Sequence, residues 1–194
     1  LPLYFRSSIS QSRAFNCHIV FLILALLLLM TSFLMNDFSI LYVANHSHQD
    51  LPIGYRLVAM WGGHAGSLLF FITIIMVWVM TFLQRLDHDV KKKYLQNYAL
   101  VIGGIMAILL FVSNPFIQSN AIVQSGRGLN PLLQDVGMGA HPPLLYIGYV
   151  SGVIPFLLIM ADSNISVRTQ MVIKHALKYG IFILTVGIVL GSWW

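Results

Sequence analysis

His18-Ile-Val-Phe-Leu-Ile-Leu-Ala-Leu-Leu-Leu-Leu-Met-Thr-Ser-Phe-Leu-Met35 contains no Asp, Glu, Lys or Arg. A bilayer's hydrocarbon core is about 30 Å thick, and a helix rising about 1.5 Å per residue crosses it in about 20 apolar residues. Only a helix or a closed barrel satisfies its own backbone in that medium. This run is therefore read as a transmembrane helix. Similar runs follow at about Leu57–Leu83, Tyr98–Val112 (a short one) and Pro143–Ala161, and a last begins near Leu177 and is still running, or just ending, at Trp194. The predicted fold class is all-α, a polytopic membrane helix bundle with about five transmembrane helices.

Composition agrees. Hydrophobic residues make up 58% of the chain and charged residues 9%, and the mean hydropathy is +0.80. A soluble domain carries about 25% charged residues. The net charge of +5 comes from 11 Lys and Arg against 6 Asp, with no Glu at all. The basic residues form no single patch, which argues against a nucleic-acid partner. Nine of the 11 lie before His18 (Arg6, Arg13), in the connections 84–97 and 162–176 (Arg85, Lys91, Lys92, Lys93, Arg168, Lys174), or at the border of the last span (Lys178). Only Arg56 and Arg127 occupy the other loops. The positive-inside rule then puts the amino end inside and the 36–56 and 113–142 loops outside.

The chain reads as incomplete. It has no initiator Met, Leu1–Phe5 reads as the tail of an earlier apolar segment, and no signal peptide is recognisable. The single cysteine, Cys17, rules out an internal disulfide and Cys-x-x-Cys chemistry of the chain's own, and reads as an ordinary thiol near the inner interface. Gly62 and Gly66, Gly148 and Gly152, and Gly187 and Gly191 have the spacing that lets two helix backbones approach. Pro155 is expected to kink the fourth span.

Few polar residues are candidates for chemistry. In Trp61-Gly-Gly-His64-Ala-Gly-Ser67, His64 is expected about seven residues inside its span, roughly 10 Å deep. A histidine at that depth needs a partner or a cavity, so it is either functional or an interhelical hydrogen bond. His46, His48 and Asp50 could bind a metal, but no further ligand is suitably spaced and a solvated loop is the simpler reading. His18, His88 and His175 read as interfacial polar residues.

The 113–142 loop is too long and too apolar to be mere linker, and its Gly, Asn and Pro punctuation predicts fixed turns. It delivers His141 before Pro142 and Pro143. A residue before proline is pushed out of the α region, so His141 is expected extended, just outside the helix, with the prolines in its first turn. Arg127 could pair with Asp135 or meet an anionic ligand group such as a carboxylate.

The segments Gly128-Leu-Asn-Pro-Leu-Leu-Gln-Asp135 and His141-Pro-Pro-Leu-Leu-Tyr-Ile-Gly-Tyr149 resemble the CcmF/NrfE family of cytochrome c-type biogenesis proteins. So do Asn36-Asp-Phe38, Trp61–Ser67, Ser113-Asn-Pro-Phe116 and Leu190-Gly-Ser192, and the similarity runs in order from about Phe33 to the carboxyl end. The resemblance implies a haem lyase component that takes haem from the chaperone CcmE. It would help attach that haem to apocytochrome c at the periplasmic face of a bacterial or mitochondrial inner membrane, with CcmH as thiol-handling partner. Haem b would be substrate and bound cofactor, and His141 an axial ligand to its iron, with Arg127 and His64 as accompanying cofactor-binding residues. On this reading residues 1–194 are the amino-terminal part of one membrane haem-handling domain, ending before the family's tryptophan-rich segment and inactive alone. The family's other haem-ligating histidines would lie downstream, and an additional helix would precede Leu1. Two departures stand out: Ala65 replaces the family's usual glutamate, and Val136 its usual proline. An NrfE-type lyase for nitrite reductase, a membrane transporter and a non-catalytic assembly subunit are the alternatives.

Overall fold

The computed structural model describes residues 2–120, 123–162 and 164–193, with side chains from Ala14 onward. Apolar runs become helices because every backbone N–H and C=O is then paired without water. Helix α1 (Pro2–Met35) is followed by two short helices, α2 (Leu41–His46) and α3 (Ile53–Ala59). Then come α4 (His64–Leu83), α5 (His88–Phe111), α6 (Gly137–Val150), α7 (Val153–Ala161) and α8 (Val167–Trp193). Five stretches are long and apolar enough to cross a membrane: Ala14–Met35, His64–Leu83, His88–Phe111, Gly137–Ala161 and Val167–Trp193. The protein is a multi-pass helix bundle. Among the described residues the extended pairing is limited to one antiparallel bridge, Ile40 with Gln118.

Several expected boundaries shift. The second span starts at His64, not Leu57, because residues 53–59 form a separate helix and Trp61-Gly-Gly63 breaks the chain. Hydropathy cannot see that break, since the residues on either side are equally apolar. The third and fifth spans begin earlier, at His88 and Val167, because helical structure continues past the membrane through charged residues. Pro2–Phe5 are helical and run on into the rest of α1. The fourth span breaks at Ser151-Gly152 and Pro155 sits in the first turn of α7, where its ring displaces no helical partner.

Packing runs α1 against α4 and α5, α4 against α6, and α5 against α7, with the most extensive contact between α6 and α8. That last interface is built on small residues. A Cβ on Gly148 would meet Leu184 Cβ at 2.6 Å, and one on Gly187 would meet Leu144 Cβ at 3.1 Å. Ser151 occupies the space left by Gly180, and its hydroxyl donates to the Gly148 carbonyl. Because lipid tails are as apolar as leucine, such close approach carries helix association. Gly152 packs on nothing beyond its own turn, so its pairing with Gly148 is not an interface.

At one end of the bundle, residues 36–63, 112–120 and 123–136 fold over the helix termini as a cap. Leu41 N–H donates to Ile117 O (2.8 Å), Ser119 N–H to Ser39 O (2.7 Å) and Arg127 N–H to Ala44 O (2.8 Å). Arg56 ties the first half together, donating from Nε to Leu51 O (2.7 Å) and from a terminal nitrogen to Gln49 O (2.7 Å). The opposite end is closed by the turn 84–87 and by residues 162 and 164–166. There Arg168 donates to Asp87 Oδ1 at 2.7 Å, and Asp162 accepts from Ser166 N–H and from the Thr169 hydroxyl.

Candidate haem-ligand site

The site begins with a carbonyl that lost its donor. Proline has no N–H, so Pro142 cannot bond back to the Met138 carbonyl one turn earlier. The Trp61 indole N–H donates to that oxygen at 2.9 Å. With that carbonyl satisfied from outside, the helix tolerates Pro142, and α6 runs from Gly137 to Val150 with both prolines inside it. His141 therefore lies inside α6, not extended before it; the preference of a pre-proline residue for extended backbone is overridden by tertiary contact. Asp135 Oδ1 accepts from Gly137 N–H at 2.7 Å, a local turn that leads into α6. Among the described residues Asp135 forms no ion pair with Arg127.

His141 is half-buried and turned toward α8. Its Nδ1 lies 2.8 Å from Gly187 O. A carbonyl only accepts, so Nδ1 carries the proton. The ring rests where α8 has no side chain: a Cβ on Gly191 would lie 2.6 Å from Nδ1. Gly187 and Gly191 thus admit α6 and receive the imidazole.

His64 is the first residue of α4 and is exposed, so it does not lie deep within a span. Its Nδ1 is 2.8 Å from the Ser113 hydroxyl at the end of α5. The correction follows from the break at Gly62-Gly63, which places the histidine at a helix terminus. Arg127 is exposed and, among the described residues, forms no ion pair. His141 bonds to Gly187 and His64 to Ser113, so the two histidines are held by different elements. What connects the two motifs is Trp61, three residues before His64 and bonded to the turn before His141. Trp61 also stacks on Phe70 (centroids 5.1 Å), and Phe70 and Phe71 both meet Tyr146 of α6 edge-on.

The His46, His48 and Asp50 group does not gather. His46 Nδ1 faces Tyr42 O (2.8 Å), whereas His48 turns to Asp50 at 3.4 Å. Among the described residues no cluster of His, Cys, Asp or Glu could hold a metal ion by itself. Tyr42 was missed by sequence reasoning. Its hydroxyl donates to Met60 O (3.0 Å) and accepts from Gly63 N–H (3.1 Å), bracing the turn before His64. Burial pushes its phenol up to about 12.

Residues 61–194 match the family described as cytochrome C assembly protein. The chain belongs to that family. It is 42% identical over 182 residues to the cytochrome c-type biogenesis protein CcmF of Escherichia coli, covering 88% of this chain and 27% of that protein. It is 37% identical over 174 residues to NrfE of Haemophilus influenzae, a cytochrome c-type biogenesis protein, covering 86% of this chain and 27% of that one. NrfE of E. coli, described as a probable cytochrome c-type biogenesis protein, is 36% identical over 180 residues, which is 89% of this chain and 32% of its own length. The chain thus spans between a quarter and a third of these relatives. No solved structure matches it significantly.

Proposed function

We propose that this chain is part of a membrane-embedded haem lyase of cytochrome c biogenesis, and that His141 ligates haem iron at the periplasmic face of an inner membrane. The observation that carries this reading is the hydrogen bond between His141 Nδ1 and Gly187 O. With Nδ1 donating to a backbone carbonyl, Nε2 is the ring nitrogen that would coordinate a metal, the arrangement in which proteins present an imidazole to a metal. The donor fits haem b, whose iron accepts an axial histidine. When bound, the haem supplies the redox chemistry and the vinyl groups that receive two cysteine thiols.

The chain's own residues bind and orient. Gly187 and Gly191 set the tautomer and angle of the ring, and Trp61 fixes the backbone one turn before it. Arg127 is solvent-facing on the same cap, suited to a haem carboxylate. His64, bonded to Ser113, offers a second polar position at that end. Residues 1–194 form the amino-terminal part of one haem-handling domain, with haem delivered by CcmE and passed to an apocytochrome c handled by CcmH.

In the intact protein, His141→Ala abolishes holocytochrome formation, read by haem-dependent peroxidase staining, while protein abundance is unchanged. Undiminished holocytochrome in that variant removes His141 from the ligand role. NrfE relatives at 37% and 36% identity favour a second reading, a lyase dedicated to a nitrite reductase. Complementing strains that lack one system or the other separates the two.

A further inference from the structure

At the end of the bundle opposite His141, a recess of about 320 Å³ lies between the end of α4 and the first turns of α8. It is lined by Gln84, Arg85, Arg168, Met171, Val172 and His175. Its rim is cationic and hydrogen-bonding, while Met171 and Val172 give it an apolar wall. Arg168 is committed to its surroundings, donating from Nε to Arg85 O at 2.7 Å and from one terminal nitrogen to Asp87 at 2.7 Å. Arg85 is not committed in this way. Its guanidinium stands 5.6 Å over the Phe82 ring and, among the described residues, forms no ion pair. Lys174 and Lys178 follow on the same exposed helix end.

Depth in the membrane decides what such a recess meets. Helix α8 has 27 residues and so spans about 40 Å, against a hydrocarbon core of about 30 Å. Its first turns therefore stand among lipid headgroups. A free anion needs only the cationic rim, whereas an anionic phospholipid also uses the apolar wall and approaches from the bilayer, where basic pockets between helices attract acidic headgroups.

We propose that the recess between α4 and α8 binds the phosphate of an anionic phospholipid, with Arg85 as the principal contact and Arg168 holding the α4–α5 turn in place. This site is independent of the haem reading, because it shares no residue with the His141 end.

The test uses the intact protein, delipidated in a neutral detergent, with native mass spectrometry to count retained lipid. Phosphatidylglycerol and phosphatidylcholine of identical acyl chains are supplied separately. The expected result is selective retention of phosphatidylglycerol, weakened about fivefold by Arg85→Gln, the magnitude of one basic side chain near a charged headgroup. Arg85→Lys, which keeps the charge, should retain most of the preference. Equal retention of the two lipids overturns the proposal, as does an Arg85→Gln variant indistinguishable from wild type. Displacement of the lipid by millimolar inorganic phosphate also overturns it, by making the recess a site for free phosphate.

Discussion

Trp61 and Tyr42 each satisfy a group that a backbone irregularity has left exposed. Trp61 supplies the donor that Pro142 lacks, and Tyr42 braces the turn through Met60 and Gly63. Trp61→Phe keeps the ring that stacks on Phe70 but removes the N–H, leaving the Met138 carbonyl without its donor. The expected cost is about 1–3 kcal/mol, measured as a lower unfolding temperature of the purified protein in detergent; an unchanged transition would show that the bond contributes nothing. Tyr42 makes a pH-dependent prediction. Its folded pKa is raised to about 12 by burial, above the ordinary phenol value of 10.0. The neutral phenol therefore contributes stability that is fully present below pH 10 and is lost as pH rises toward 12. Wild-type protein should weaken through that window. Tyr42→Phe should be less stable at neutral pH and should lack the phenol's share of the alkaline decline, and identical pH profiles would refute the assignment.

Among the helices, what the sequence disclosed and what it hid divide along a physical line. Spans are legible because lipid imposes a length of apolar chain, so the run at 18–35 announces a helix unaided. Their ends are not legible, because a helix can continue past the apolar run, as α8 does through Arg168 and Lys174, or stop inside one, as at Gly62-Gly63. Gly187 and Gly191 were readable as a close-packing pair, but their second use, receiving the His141 ring, depends on the rotation of α6 against α8, which no single-chain pattern encodes. His141 itself was legible as a candidate, and its backbone was misread because the compensating donor lies 77 residues away in Trp61-to-Met138 separation. The α6–α8 interface gives the corresponding prediction. A side chain at Gly148 would press on the Leu184 backbone, whose Cα lies 2.9 Å from the added Cβ. Gly148→Leu should force the helices apart and draw Gly187 away from His141, so holocytochrome yield falls even though no proposed ligand has changed. Gly152→Leu, at a glycine that meets only its own turn, serves as the control and should leave the yield intact. If both variants behave alike, the helix contact does not hold the histidine.

The molecule has two chemically unlike ends, and the difference carries its orientation. One end holds the folded cap, with Arg56 spent on backbone carbonyls and Arg127 exposed, together with Trp61 and His141. The other carries Arg85, Lys91, Lys92, Lys93, Arg168, Lys174 and Lys178. Cationic segments remain on the side where a chain is synthesised, so the proposed reading requires the cap to face outward. The chain's single cysteine makes the point testable with little disturbance. In a Cys17→Ser background, a cysteine is placed either at Leu132, which is 81% exposed in the cap, or at Gln170, exposed in the first turn of α8. A membrane-impermeant maleimide added to spheroplasts should label Leu132→Cys at once and Gln170→Cys only after permeabilisation. The reverse pattern would put His141 on the cytoplasmic side. A periplasmic haem-ligand role would then be untenable, even though every contact around the imidazole remained as described.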